Sequence, residues 1–143
     1  MLKNICHFIL GHSGLTWNLG IDFFAGHLPQ KNRIGALLGD RVMVILERTP
    51  GGTDGFLPDY MDKMIQVWNR ARTYQEASED AQEIYDILHG ATGWDLGGLV
   101  SGDNPYLLIC DALGTPAPIE NPGGKGLYEF STNYLMRIEN PIP

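Results

Sequence analysis

Two periods of apolar residues organise this chain. Leu2, Ile5, Cys6, Ile9 and Leu10 recur at helical spacing. That stripe predicts a short helix over 2–10, stopped by Gly11 and Gly14. Ile21, Phe23 and Phe24 mark 18–25 as a strand, which Gly26-His27-Leu28-Pro29 closes because proline cannot continue the ladder. Residues 30–40 read as a connector. Residues 41–48 have charged ends around a β-branched, apolar middle, the clearest strand composition in the chain. A Gly/Pro-rich loop over 49–58 then leads into a returning strand, Tyr60 to Ala71. Met64, Gln66, Trp68 and Arg70 share one of its faces, and Lys63, Ile65, Val67 and Asn69 the other. Apolar residues on both faces predict a central strand, with Trp68 in the core.

The pattern then becomes helical. In Thr73-Tyr74-Gln75-Glu76 the Thr hydroxyl can accept from the third helical amide, and Glu76 can reach back to the Thr73 amide. Tyr74, Ala77, Ala81, Ile84, Tyr85 and Leu88 keep the helical period, and Gly90 stands where a terminating glycine belongs. Residues 91–104 read as a Gly-rich loop around Trp94. Strands follow over 106–113 and 127–139, joined by a long loop over 114–126 with three prolines. In the last strand Tyr128, Phe130, Tyr134, Met136 and Ile138 alternate with polar residues, Leu135 excepted, so one face is buried. The order α-β-β-β-α-β-β predicts an α+β fold. Its sheet is mainly antiparallel or mixed, and its helices pack on one side.

Composition narrows the function. At 143 residues, one domain over 1–143 is expected, and 43% hydrophobic residues suffice for a core. Ten Lys and Arg against seventeen Asp and Glu leave a net charge of −7, which argues against a surface that grips nucleic acid through clustered cations. The two cysteines, Cys6 and Cys110, sit in apolar runs and read as small hydrophobic residues. The N-terminal apolar run is too short for a signal peptide or a membrane span, so a soluble protein made in a cytoplasm is expected.

Motifs of catalysis fail on their residues. Gly11-His12-Ser13-Gly14-Leu15 has leucine where a nucleophile elbow needs glycine, and Gly123-Gly124-Lys125-Gly126 lacks the Ser or Thr that follows a phosphate-loop lysine. His7, His12, His27 and His89 fall at no metal-ligand spacing. Neither a cofactor nor a metal is expected. Glu76, Glu79, Asp80, Glu83 and Asp86 face away from the apolar stripe of their helix, as a solvated face or as a contact surface. Trp94 could anchor an interface. Long loops in so small a chain favour a protein that works by contacts.

These features together resemble the phage tail-terminator family. The resemblance rests on the N-terminal helix, the strand closing in Gly26-His27-Leu28-Pro29, and the hairpin of 41–48 and 61–71. It continues through Arg72-Thr73-Tyr74-Gln75-Glu76-Ala77, Ile84-Tyr85-Asp86-Ile87-Leu88 and Tyr128-Glu129-Phe130-Ser131-Thr132-Asn133-Tyr134. It implies a structural virion protein without enzymatic activity, a ring, usually hexameric, at the head-proximal end of a tail. Such a ring ends tube polymerisation, meets the tail tube protein and the head-side connector, and lets genomic DNA pass without sequence-specific binding. An acidic lumen would repel DNA rather than hold it. It implies no membrane partner; the place is the tail–neck junction of the virion, reached from the host cytoplasm.

Arg70 and Arg72, facing Glu76, Glu79, Asp80 and Glu83 of a neighbouring subunit, are the expected inter-subunit contacts. Phe56, Leu57, Trp94 and Lys125 are the expected loop contacts to adjacent rings. Three alternatives stay open. One is another neck ring, a head–tail stopper or adaptor. Another is a small ligand-binding or enzymatic domain using Asp22, His27 and the helix carboxylates. The third is an adaptor outside phages.

Overall fold

The computed structural model describes residues 2–14, 17–48, 60–96, 105–119 and 126–139. Two helices, α1 (Leu2–His12) and α2 (Tyr74–Leu88), lie against a mixed sheet. Its strands are β1 (Phe23–Ala25), β2 (Val42–Glu47), β3 (Tyr60–Ala71), β4 (Thr92–Asp95), β5 (Tyr106–Ala112), β6 (Ala117–Pro118) and β7 (Tyr128–Glu139). Their order across the sheet is β1-β2-β3-β7-β5-β4, with β6 also paired to β7. Among the described strands only β1 and β2 pair in parallel. The predicted α+β architecture and order of elements hold, with β4 and β6 added as short strands inside segments expected to be loops.

The differences have local causes. The first strand begins at Phe23 rather than Asn18, because 18–22 folds into a turn. The Asn18 carbonyl accepts from the amides of Ile21 and Asp22, and Asp22 Oδ1 accepts from the Asn18 amide at 2.6 Å. Helix α1 runs through Gly11 to His12, whose Nδ1 lies 2.8 Å from the Phe8 carbonyl oxygen. Residues 49–59, 97–104 and 120–125, where much of the expected loop structure falls, lie outside the described residues.

Helix α2 forms as its sequence dictates. Thr73 Oγ1 accepts from the Glu76 amide at 3.1 Å, and Gly90, at φ +78°, follows the His89 cap. Only half of the expected reciprocal cap appears, since the Glu76 carboxylate is turned to Arg41, 3.7 Å away.

Both helices cover one face of the sheet. Ile5 and Ile9 of α1 and Ile84 and Leu88 of α2 meet Met43, Ile45, Ile65, Val67, Tyr134, Met136 and Ile138 in one buried cluster. Cys6 and Cys110 join it as buried free thiols. A bulge between Leu107 and Ile109 re-aims β5 so that Leu107 and Cys110 both point inward. Two buried amides bind the layers together. Asn69 of β3 donates to the Ala77 carbonyl of α2, and Asn4 of α1 to the Leu96 carbonyl beyond β4, each at 2.9 Å.

Among the described residues no helix covers the other face. Trp68, expected in the core, stands half-buried on it beside Val44 and Leu46 of β2. β3 is central, as its two-sided apolar pattern predicts, but its faces have different neighbours.

Candidate functional site

The junction where β3 passes into α2 gathers most of the charged residues that the sequence singles out. Its centre is Arg41, just before β2. Arg41 donates from Nε and a terminal nitrogen to the two carboxylate oxygens of Asp80, at 2.9 and 3.1 Å. Its guanidinium also lies 3.6 Å from the centre of the Trp17 ring. Asp80 is only 3% exposed. The expectation that all the α2 carboxylates face solvent therefore fails at Asp80, which occurs at the edge of the apolar stripe and turns inward because Arg41 is there to neutralise it. A planar, two-pronged guanidinium suits this role, binding a carboxylate edge-on while stacking on an aromatic ring.

Arg70 and Arg72 are engaged within their own chain. Arg70 donates to the carbonyls of Asp40 and Gly39 at 3.3 and 3.1 Å. Arg72 pairs with the Asp40 carboxylate at 2.6 and 3.0 Å while remaining largely exposed. Together they pin the chain entering β2 against the strand–helix corner. Glu79 is exposed and accepts from Gln75, and Glu83 accepts from the Ser13 hydroxyl at the end of α1. Arg70, Arg72, Glu76 and Asp80 thus lie around one corner, with Glu79 and Glu83 further along α2.

Trp94 stands on the edge strand β4, 43% exposed, with its ring against Phe8 and His12 at centroid distances of 5.4 and 4.6 Å. Phe56, Leu57 and Lys125 lie outside the described residues. Asp22 is committed to its turn, and His27 lines a small apolar hollow with Lys3, Leu19 and Phe24. Among the described residues no group of three His, Cys, Asp or Glu side chains could hold a metal ion. Burial pushes both thiols up to about 12, which leaves them protonated and poor nucleophiles at neutral pH. No helix among the described residues is long and apolar enough to cross a membrane.

Sequence reasoning passed over one exposed region. Residues 30–40, read as a plain connector, contain a hydrogen-bonded turn whose apolar residues Ile34 and Leu37 are 75% and 79% exposed. Asn32 and Gly35 were the signal, since these residue types build tight turns. What the geometry offers is a set of surfaces, polar at the strand–helix corner and apolar at the turn and on the open sheet face.

No curated protein matches the sequence. The family described as bacteriophage tail terminator protein matches residues 10–140, nearly the whole described fold from the end of α1 through β7. By that match the chain belongs to the bacteriophage tail terminator protein family, a structural family of the phage virion.

Proposed function

We propose that this protein closes the head-proximal end of the tail tube as a hexameric ring. The ring ends tube polymerisation, presents the surface that meets the head-side connector, and leaves a lumen for the genome. The family match over 10–140 carries this reading. The charge supports it, because six copies of a chain with net charge −7 line a channel that repels a sliding polyanion. A closed ring requires two complementary patches on each subunit. Arg72 and Glu79 are exposed enough to meet a neighbour, with Arg70, Glu76 and Glu83 bordering them, while Asp80 serves its own chain. Trp94, Phe56, Leu57 and Lys125 serve contacts to adjoining rings.

Adding the purified protein to polymerising tail tube protein tests the reading. Negative-stain images should show tubes of limited length with one extra disc at an end. Tubes that grow as they do without it, and carry no disc, would overturn the proposal.

A further inference from the structure

An exposed histidine closes each helix, and the ring bonds of the two have opposite polarity. His89 caps α2, and its Nδ1 accepts from the Ala112 amide of β5 at 3.0 Å. A backbone amide can only donate, so this nitrogen is bare and the ring proton is on Nε2. His12 ends α1, with Nδ1 2.8 Å from the Phe8 carbonyl oxygen. A carbonyl can only accept, so here Nδ1 carries the proton.

Acid therefore acts differently on the two rings, because an imidazolium carries a proton on both nitrogens. At His12 the bond to Phe8 survives. The new charge falls at the C-terminal end of α1, beside the Phe8 and Trp94 rings, where carbonyls and aromatic groups favour a cation. At His89 the proton lands on the nitrogen that the Ala112 amide needs, and the bond is lost.

The surroundings of His89 favour the charged ring once that bond is gone. Its titratable neighbours are Tyr85, stacked on it at 4.9 Å, and Asp86 on α2, Cys110 and Asp111 on β5, and Tyr134 on β7. Neither α2 nor β5 contains a lysine or arginine to oppose the charge. Around His12 the charged neighbours are Glu83 of α2, reached through Ser13, and Asp95, next to Trp94. The backbone bonds beside His89 do not titrate. The Gly90 amide donates to the Cys110 carbonyl at 2.7 Å, and the Cys110 amide to the Ala91 carbonyl at 2.9 Å. One acid-labile bond thus stands among acid-stable ones, where β5 passes into the largely exposed segment 113–119.

We propose that His89 is an acid-released clasp between the end of α2 and the end of β5. Protonation frees Ala112 and the segment that follows it, while His12 stays closed on Phe8. The device belongs to the single chain and operates whether or not a ring forms.

Amide hydrogen exchange, read residue by residue, tests it. Free histidine side chains protonate at about pH 6.5, so pH 8 is compared with pH 5. The protection factor of Ala112 should fall about fivefold or more at pH 5, the worth of one hydrogen bond, while those of Gly90 and Cys110 hold. In His89→Ala the protection of Ala112 should be low at both. The ring nitrogen shifts of the unaltered protein at pH 8 give an independent readout, with the proton expected on Nε2 of His89 and on Nδ1 of His12. The opposite tautomer at either ring would overturn the proposal. So would Ala112 protection that does not change with pH, or that falls equally in His89→Ala. Loss at Gly90 and Cys110 together with Ala112 would mean that the whole joint opens, and the selective clasp would be wrong.

Discussion

The two faces of the β3–β7 pair share one backbone ladder and behave as different materials. Beneath the helices Ile65, Val67, Tyr134, Met136 and Ile138 are at most 2% exposed. On the reverse Gln66 bonds Ser131, Arg137 meets Asp62 and the Tyr60 ring, and Leu135 is 36% exposed. The covered face carries the stability of the fold, and the open face supplies surface. A protein that works by contact needs both, since a rigid face for partners must be backed by a packed one.

The largest expected effect tests the covered face. Ile84→Ala should cost about 2–5 kcal/mol of unfolding free energy by denaturant titration, because it opens a cavity between α2 and the sheet. Asp80→Ala follows at about 3 kcal/mol, since it strands a partly buried guanidinium. Asp40→Ala, which frees the exposed Arg72, should cost under about 1 kcal/mol in the same titration. If the two aspartates cost the same, the contrast between a buried and a surface pair is wrong. Thr73→Ala removes the α2 cap and should cost about 1 kcal/mol.

The thiols give a pH test. Their ordinary value is 9.0, and burial raises Cys6 and Cys110 to about 12. The unfolded chain therefore releases these protons first. Their contribution to stability is intact below pH 9 and lost as pH rises from about 9 towards 12. Alkylation at pH 8 should leave the native protein unlabelled and the denatured protein labelled twice. The smallest effect belongs to the open face. Leu135→Ala should change stability by no more than about 0.5 kcal/mol, and a core-sized loss there would erase the distinction between faces.

Much of the covered face was legible in the sequence. The bounds of β3 follow from its alternation, and α2 follows from Thr73, its apolar stripe and Gly90, because each of those signals is local. Leu135, the one break in the alternation of β7, marks the open face directly. The rest depends on residues far apart in sequence. Nothing near Asp80 announces that Arg41, 39 positions away, will neutralise it. Trp68 looks like core by composition, and only the placement of both helices on the other face leaves it half-buried. Strand β4 hides in a glycine-rich segment, where Gly93, at φ +72°, interrupts an otherwise ordinary edge. Of the candidate contacts, Arg70, Arg72 and Trp94 are placed by the fold, and their in-chain partners depend on those distant placements too.

The β3–β7 ladder also bears on how the protein carries load. Twelve residue pairs run in register from Tyr60–Glu139 to Ala71–Tyr128. Their hydrogen bonds lie across the strands. A pull along the strands must shear the rungs together, whereas a pull at right angles peels them one after another. The molecule therefore has a strong axis and a weak one, and it resists a load best when the strong axis is set against the force.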